Sequence, residues 1–179
     1  TGKTLQLTTI SGTHNASVSS DGLLVLDQYS NATTPNEILI LNIKTKMAAT
    51  TLVKADNPFI GKIDLPRIEM VTLKAADGTT PLNGRLIYPA NFDVTKKYPL
   101  MVYVYGGSHA QLVTNKWLSG AGYFDMYMAQ QGYVVFTLDN RGSDARGKKF
   151  CDVTHRNLGV NEMADQMKGV EFLKSKSFV

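Results

Sequence analysis

Two patterns of hydrophobic and polar positions run along this chain, and one gives way to the other near residue 65. Before that point, apolar residues come in short runs broken by turn pairs: Thr4–Ile10, Ser17–Ser20, Leu23–Tyr29 after Asp21-Gly22, Glu37–Ile43 after Pro35-Asn36, and Ala48–Val53. Runs of this length between such turns predict strands of one antiparallel unit. The apolar positions, Leu5 and Leu7 or Ile38 and Ile43, give too little surface for an independent core. That is the pattern of a single sheet from a repeat array such as a propeller blade. No second copy of the segment is present, so a small free β-domain is the alternative.

From Pro66 the spacing changes. Strands are predicted at Ile68–Leu73 and Asn83–Tyr88 around the Asp77-Gly78 turn, followed by a solvated link over Asn91–Lys97. Leu100–Tyr105 is a continuous apolar run ending in Gly106-Gly107, which predicts a strand covered on both faces. Tyr123, Met126, Tyr127 and Gln130 have helical spacing closed by Gly132, and Tyr133–Leu138 reads as the next strand. After a loop over Asp139–His155, a helix is predicted over Asn161–Lys174. It has Met163, Met167, Val170, Phe172 and Leu173 as its apolar positions, acidic residues early and lysines late. Strand, helix, strand, helix is the beginning of a parallel α/β sheet.

Composition narrows the function classes. The 179 residues are 43% hydrophobic and 19% charged, a balance that excludes disordered and collagen-like chains. The net charge of +4 comes from scattered Lys and Arg, so no basic stripe argues for nucleic acid. One cysteine, Cys151, excludes an internal disulfide, and with His14, His109 and His155 it matches no zinc spacing. No metal and no cofactor are expected. Residues 1–20 hold no apolar core of a signal peptide, and no apolar run is long enough to span a membrane. The chain starts at Thr1 rather than Met, which suggests processing or excision, with any targeting segment upstream.

The chemically suggestive feature is Tyr105-Gly106-Gly107-Ser108-His109 at the carboxyl end of a strand, where open α/β sheets place their ligands. As a nucleophile elbow, Gly106–Ala110 fails at its last glycine, and the residues after it read as loop rather than helix. Two readings remain open: an oxyanion-hole glycine turn with Tyr105 at its mouth, or simply a tight turn. Other candidates favour structural roles. Arg141 with Glu162 and Asp165 reads as an ion-pair cluster, and Asp139 as part of the Asp-Asn-Arg-Gly turn. His109 and His155 read as solvated loop residues, and Trp117 with Tyr123, Phe124 and Tyr127 as core packing rather than a substrate wall. Gly2-Lys3-Thr4 lacks the rest of a phosphate loop. Asn15-Ala-Ser and Asn31-Ala-Thr are glycosylation sequons only if the protein is eukaryotic and secreted.

Three segments also carry a family resemblance. Tyr98–His109, Asp139–Ser143 with Arg146-Gly147 and Phe150, and Leu158–Gln166 resemble, in order and spacing, the start of the catalytic domain of the prolyl oligopeptidase family, nearest the dipeptidyl peptidase IV branch. Residues 1–60 resemble more loosely the last propeller blade before that domain. Ser108 departs from the proline that many relatives carry.

The resemblance implies a mixed architecture. Residues 1–60 would be C-terminal strands of a β-propeller, and residues 61–179 the first half of an α/β-hydrolase sheet, ending about one strand short of its nucleophile. It implies a serine exopeptidase releasing Xaa-Pro or Xaa-Ala dipeptides from the amino termini of peptides, its only partner a peptide substrate, with self-association left open. Tyr105 matches the family's oxyanion tyrosine. The nucleophile, acid and base match no position here, so the chain alone is expected to be inactive. The resemblance suggests a periplasmic, membrane-anchored or secreted parent. The alternatives are a noncatalytic β plus α/β binding module and an esterase of the same fold.

Overall fold

The computed structural model describes residues 2, 4 and 6–179. They form two compact units: residues up to Pro58 together with 115–117, and residues 59–114 together with 118–179.

The first unit is an antiparallel meander of β1 (Thr13–Val18), β2 (Leu24–Ser30), β3 (Glu37–Asn42) and β4 (Met47–Val53), paired in chain order. Short polar side chains close its turns. The Asp21 carboxylate accepts from Ser19 Oγ and the Leu23 N–H, with Gly22 in the left-handed region at φ 69°. Asn42 Oδ1 accepts from the Lys44 and Thr45 N–H groups. Val25, Tyr29 and Leu41 are its buried apolar residues among those described, and Asp27 is buried beside them. His14 donates from Nδ1 to Asp27 at 2.7 Å and from Nε2 to the Ile10 carbonyl at 3.0 Å. Burial opposes charge on that ring, but the Ile10 and Asp27 contacts outweigh it and hold the ring above its ordinary value.

Two strand expectations fail here. The described residues of Thr4–Ile10 form no strand, and Leu5 lies outside the described residues. The first strand is instead the polar run Thr13–Val18, held by its ladder with β2 rather than by apolar alternation. The strand expected at Ser17–Ser20 is cut short because Ser19 and Asp21 are committed to the turn.

The second unit is a mixed sheet in the order β5 (Arg67–Lys74), β6 (Pro81–Tyr88), β8 (Val134–Asp139), β7 (Leu100–Tyr103). β5 and β6 form a hairpin, β6 runs antiparallel to β8, and β7 runs parallel to β8 through the crossover helix α1 (Tyr123–Gln130). Gly132, at φ 87°, turns the chain out of α1 as expected. The loop expected over 139–155 contains the short helix α2 (Lys148–Cys151) and a 3-10 turn, Asp152–Thr154. α3 spans Asn161–Lys174.

Every residue of β8 is buried, and its alternation feeds two cores. Val134, Phe136 and Leu138 pack with Leu82, Leu86 and Leu173 on the α3 side. Val135 packs with Ile87 and Ala129 on the α1 side.

Three further corrections follow. β7 ends at Tyr103 and, among the described residues, pairs only with β8, so the run expected to be covered on both faces is a half-buried edge. The buried face of α3 is Glu162, Asp165, Gly169 and Leu173, while Met163 and Met167 are exposed. Tyr123, Phe124 and Tyr127 are exposed too, because Asp125 and Ala129 are the residues α1 turns inward.

Candidate active site

The carboxyl ends of β7 and β8 point the same way, and the loops that leave them carry most of the chemistry. Tyr105 lies two residues beyond β7 and is 60% exposed. Strand packing therefore does not anchor its ring. Instead the ring lies over Gly107: a Cβ there would stand 3.1 Å from Tyr105 Cε1, so the glycine makes room for it. Gly106, at φ 75°, turns the chain, and His109 follows at φ 64°, an unusual conformation for a side-chain-bearing residue. The Tyr105 hydroxyl makes no hydrogen bond among the described residues and is free to donate.

Beneath this turn lies a polar network on the α1 side of the sheet. Asp139, at the end of β8 and 5% exposed, accepts the Leu112 N–H on Oδ1 at 2.9 Å and the Val113 N–H on Oδ2 at 3.0 Å. Burial pushes its carboxyl up, while the two N–H groups and the charges of Arg146 and Arg85 pull the other way. Ser119 Oγ donates to the Leu112 carbonyl at 2.7 Å and lies 2.7 Å from Thr114 Oγ1.

Arg85, in the middle of β6, donates to the Ser119 carbonyl and to Asp125 Oδ2 of α1, the latter at 2.5 Å. Burial pushes the Asp125 carboxyl up and the Arg85 guanidinium down. A guanidinium starts so far above neutrality that Arg85 keeps its charge.

On the other side, Arg141 grips Asp165 of α3 with Nε and Nη2, both at 2.9 Å, and its own N–H adds a third bond to that carboxylate. Its Nη1 reaches Asp77 at 3.2 Å. The Thr80 hydroxyl and the Thr79 and Thr80 N–H groups, with Arg141 added, hold the Asp77 carboxyl well below the usual range. This is the expected structural cluster with one member exchanged: Glu162 caps the Gly159 N–H at 3.0 Å instead.

Ser108 and His109 line a cavity of about 220 Å³ together with Cys151, Thr154 and His155. His109 Nδ1 is 3.8 Å from Cys151 Sγ, too long for a strong bond. No group of three or more His, Cys, Asp or Glu is placed to hold a metal ion among the described residues. The sequence reading puts Tyr105 at the site and gives Arg141 and Asp139 structural roles, and it misses Arg85, Asp125 and Ser119. No local pattern in the sequence links Arg85 to Asp125, which lie forty positions apart.

A mixed α/β sheet with a glycine turn at the end of its parallel edge defines the class, and comparison narrows it. A profile of the prolyl oligopeptidase family matches residues 123–179. Human dipeptidyl peptidase 8 is 31% identical over 98% of this chain and 20% of its own length. A Bacteroides ovatus crystal structure described as a dipeptidyl aminopeptidase IV superposes with a TM-score of 0.88 at 49% identity, covering 94% of this chain and 24% of that one. Porphyromonas gingivalis dipeptidyl peptidase 4 gives a TM-score of 0.84 at 26% identity over 97% of this chain and 24% of its own. The chain belongs to the prolyl oligopeptidase family and is dipeptidyl peptidase IV-like. It spans about a fifth of the length of the curated relatives it matches.

Proposed function

We propose that these residues serve in a serine exopeptidase that releases amino-terminal Xaa-Pro or Xaa-Ala dipeptides through an acyl-enzyme. Residues 1–60 act as propeller strands, and residues 61–179 as the opening part of the hydrolase domain. The role carried here is oxyanion stabilisation by Tyr105.

The observation that supports it is the pairing of an exposed phenol, without a hydrogen-bond partner among the described residues, with a two-glycine turn just past the end of β7. A hydroxyl held at that point donates to the oxygen that gains charge as the carbonyl becomes tetrahedral, and it does so without spending an internal bond. The nucleophile, general base and orienting acid come from outside these residues.

Tyr105→Phe in the complete enzyme tests the assignment, because it removes the hydroxyl and keeps the ring over Gly107. The expected loss is on the order of 10²–10³ in kcat with little change in KM, about 3–4 kcal/mol of transition-state stabilisation. The 179-residue chain by itself should leave a Gly-Pro chromogenic substrate uncleaved. A kcat within about threefold of wild type in Tyr105→Phe, or turnover by the isolated chain, defeats the reading.

A further inference from the structure

We propose that Asp139 is a positioning residue that sets the Tyr105 hydroxyl by fixing the return limb of its loop; the inference rests on the reading of Tyr105 given above. Both limbs of the loop are referenced to one strand. The outgoing limb is fixed by the β7 ladder, whose last pair is Tyr103 with Thr137 of β8. Two residues further along β8, Asp139 takes the Leu112 and Val113 N–H groups at 2.9 and 3.0 Å. Residues 104–111 therefore bridge two anchor points that the same rigid, fully buried strand holds apart.

Two further bonds secure the return limb. The Asp144 N–H donates to the Ala110 carbonyl at 3.2 Å, and Ser119 Oγ donates to the Leu112 carbonyl at 2.7 Å. Within the bridge, His109 sits at φ 64°, a conformation that persists only where its surroundings impose it. Releasing one anchor lets that turn relax and carries Tyr105 with it.

Asp139 cannot itself act on substrate. It is 5% exposed, and each of its oxygens already accepts a backbone N–H. Replacing it by asparagine keeps its volume but presents an NH2 group to one of the two donors, so one of the two bonds is lost. The consequence belongs to the transition state, because the hydroxyl it places acts on charge that develops only there.

The test is a double-mutant cycle in the complete enzyme: wild type, Tyr105→Phe, Asp139→Asn and the double variant, with kcat and KM measured for each. Asp139→Asn should lower kcat by on the order of 10–10²-fold with KM within about threefold, the scale of a small misplacement. In the Tyr105→Phe background the same change should cost less than about threefold, because no hydroxyl is left to place. A full, independent loss in both backgrounds, or an unchanged kcat in Asp139→Asn, overturns the proposal. Wild-type kcat in Tyr105→Phe alone overturns the reading beneath it instead, and that outcome is visible in the single variant. Should Asp139→Asn fail to fold by circular dichroism, Ser119→Ala loosens the same limb more gently. It should lose about fivefold in kcat, and again only where the Tyr105 hydroxyl is present; a loss that persists without the hydroxyl overturns the proposal.

Discussion

Arg85 stands in the middle of a sheet with its guanidinium sealed from water, a position that is tolerable only because Asp125 and the Ser119 carbonyl meet it. Gly120 is the residue that lets them meet. At φ 77° it takes a conformation that disfavours side chains, and a Cβ there would stand 2.1 Å from Arg85 Nη2 and 2.7 Å from Asp125 Oδ2. Gly120→Ala should therefore drive the pair apart and strand two buried charges. The expected loss is about 3–5 kcal/mol in urea unfolding, the range for a broken buried pair. A loss of no more than about 1–2 kcal/mol, the cost of the left-handed backbone conformation by itself, would mean that the pair yields and the glycine is not essential. None of this was legible in the sequence, because a buried ion pair joins residues forty positions apart that carry no shared local pattern. Arg141 with Asp165 was legible, since a cation after a strand and a carboxylate early on the next helix are brought together by the crossover itself.

At the scale of elements, the bounds of α3 were legible and its orientation was not. Apolar spacing through Met163 and Met167 pointed to one face, yet the helix buries the face of Glu162, Asp165, Gly169 and Leu173. The reason is geometric. Phe136 of β8 fills the space between sheet and helix, and Gly84 and Gly169 leave room for it. A Cβ would come within 3.1 Å of Phe136 Cε2 at Gly84 and 3.0 Å of Phe136 Cε1 at Gly169. Close approach then brings Asp165 within reach of Arg141 and of the Ala76 N–H. Periodicity registers apolar side chains, so it finds Leu173 and is blind to the glycine and the two acids that complete the buried face.

Gly169→Ala pits two effects against each other. Alanine gains about 1 kcal/mol of helix propensity, while overpacking against Phe136 and Leu138 costs about 1–3 kcal/mol. Packing should win, giving a net loss of roughly 1 kcal/mol and a lowered Tm. A rise in Tm would show that α3 shifts away at little cost.

Over the whole molecule, the order β5-β6-β8-β7 decides what faces outward. The antiparallel first unit, the turn from β7 into a helix and the return through β8 all followed from alternation and turn residues. Edge position did not, because an apolar run looks the same whether one neighbour strand or two pair with it. Among the described residues no strand pairs with the outer edge of β7, and Val102 and Val104 are exposed beside it, the arrangement that pairs readily with a second chain.

A second apolar surface competes as the cause of any association: Leu158, Val160, Met163 and Met167 are all exposed around the start of α3. The two can be told apart. Val102→Lys puts a charge on the edge strand without touching the core, whereas Met163→Glu with Met167→Glu charges the helix face and leaves the edge intact. Sedimentation velocity over a concentration series should show the 179-residue chain associating, Val102→Lys shifting it toward monomer, and the helix variant behaving like the parent. Far-UV circular dichroism should be unchanged in all three. If the helix variant is the one that becomes monomeric, contact runs through the apolar face of α3, and the open edge of β7 is protected by its short length and twist.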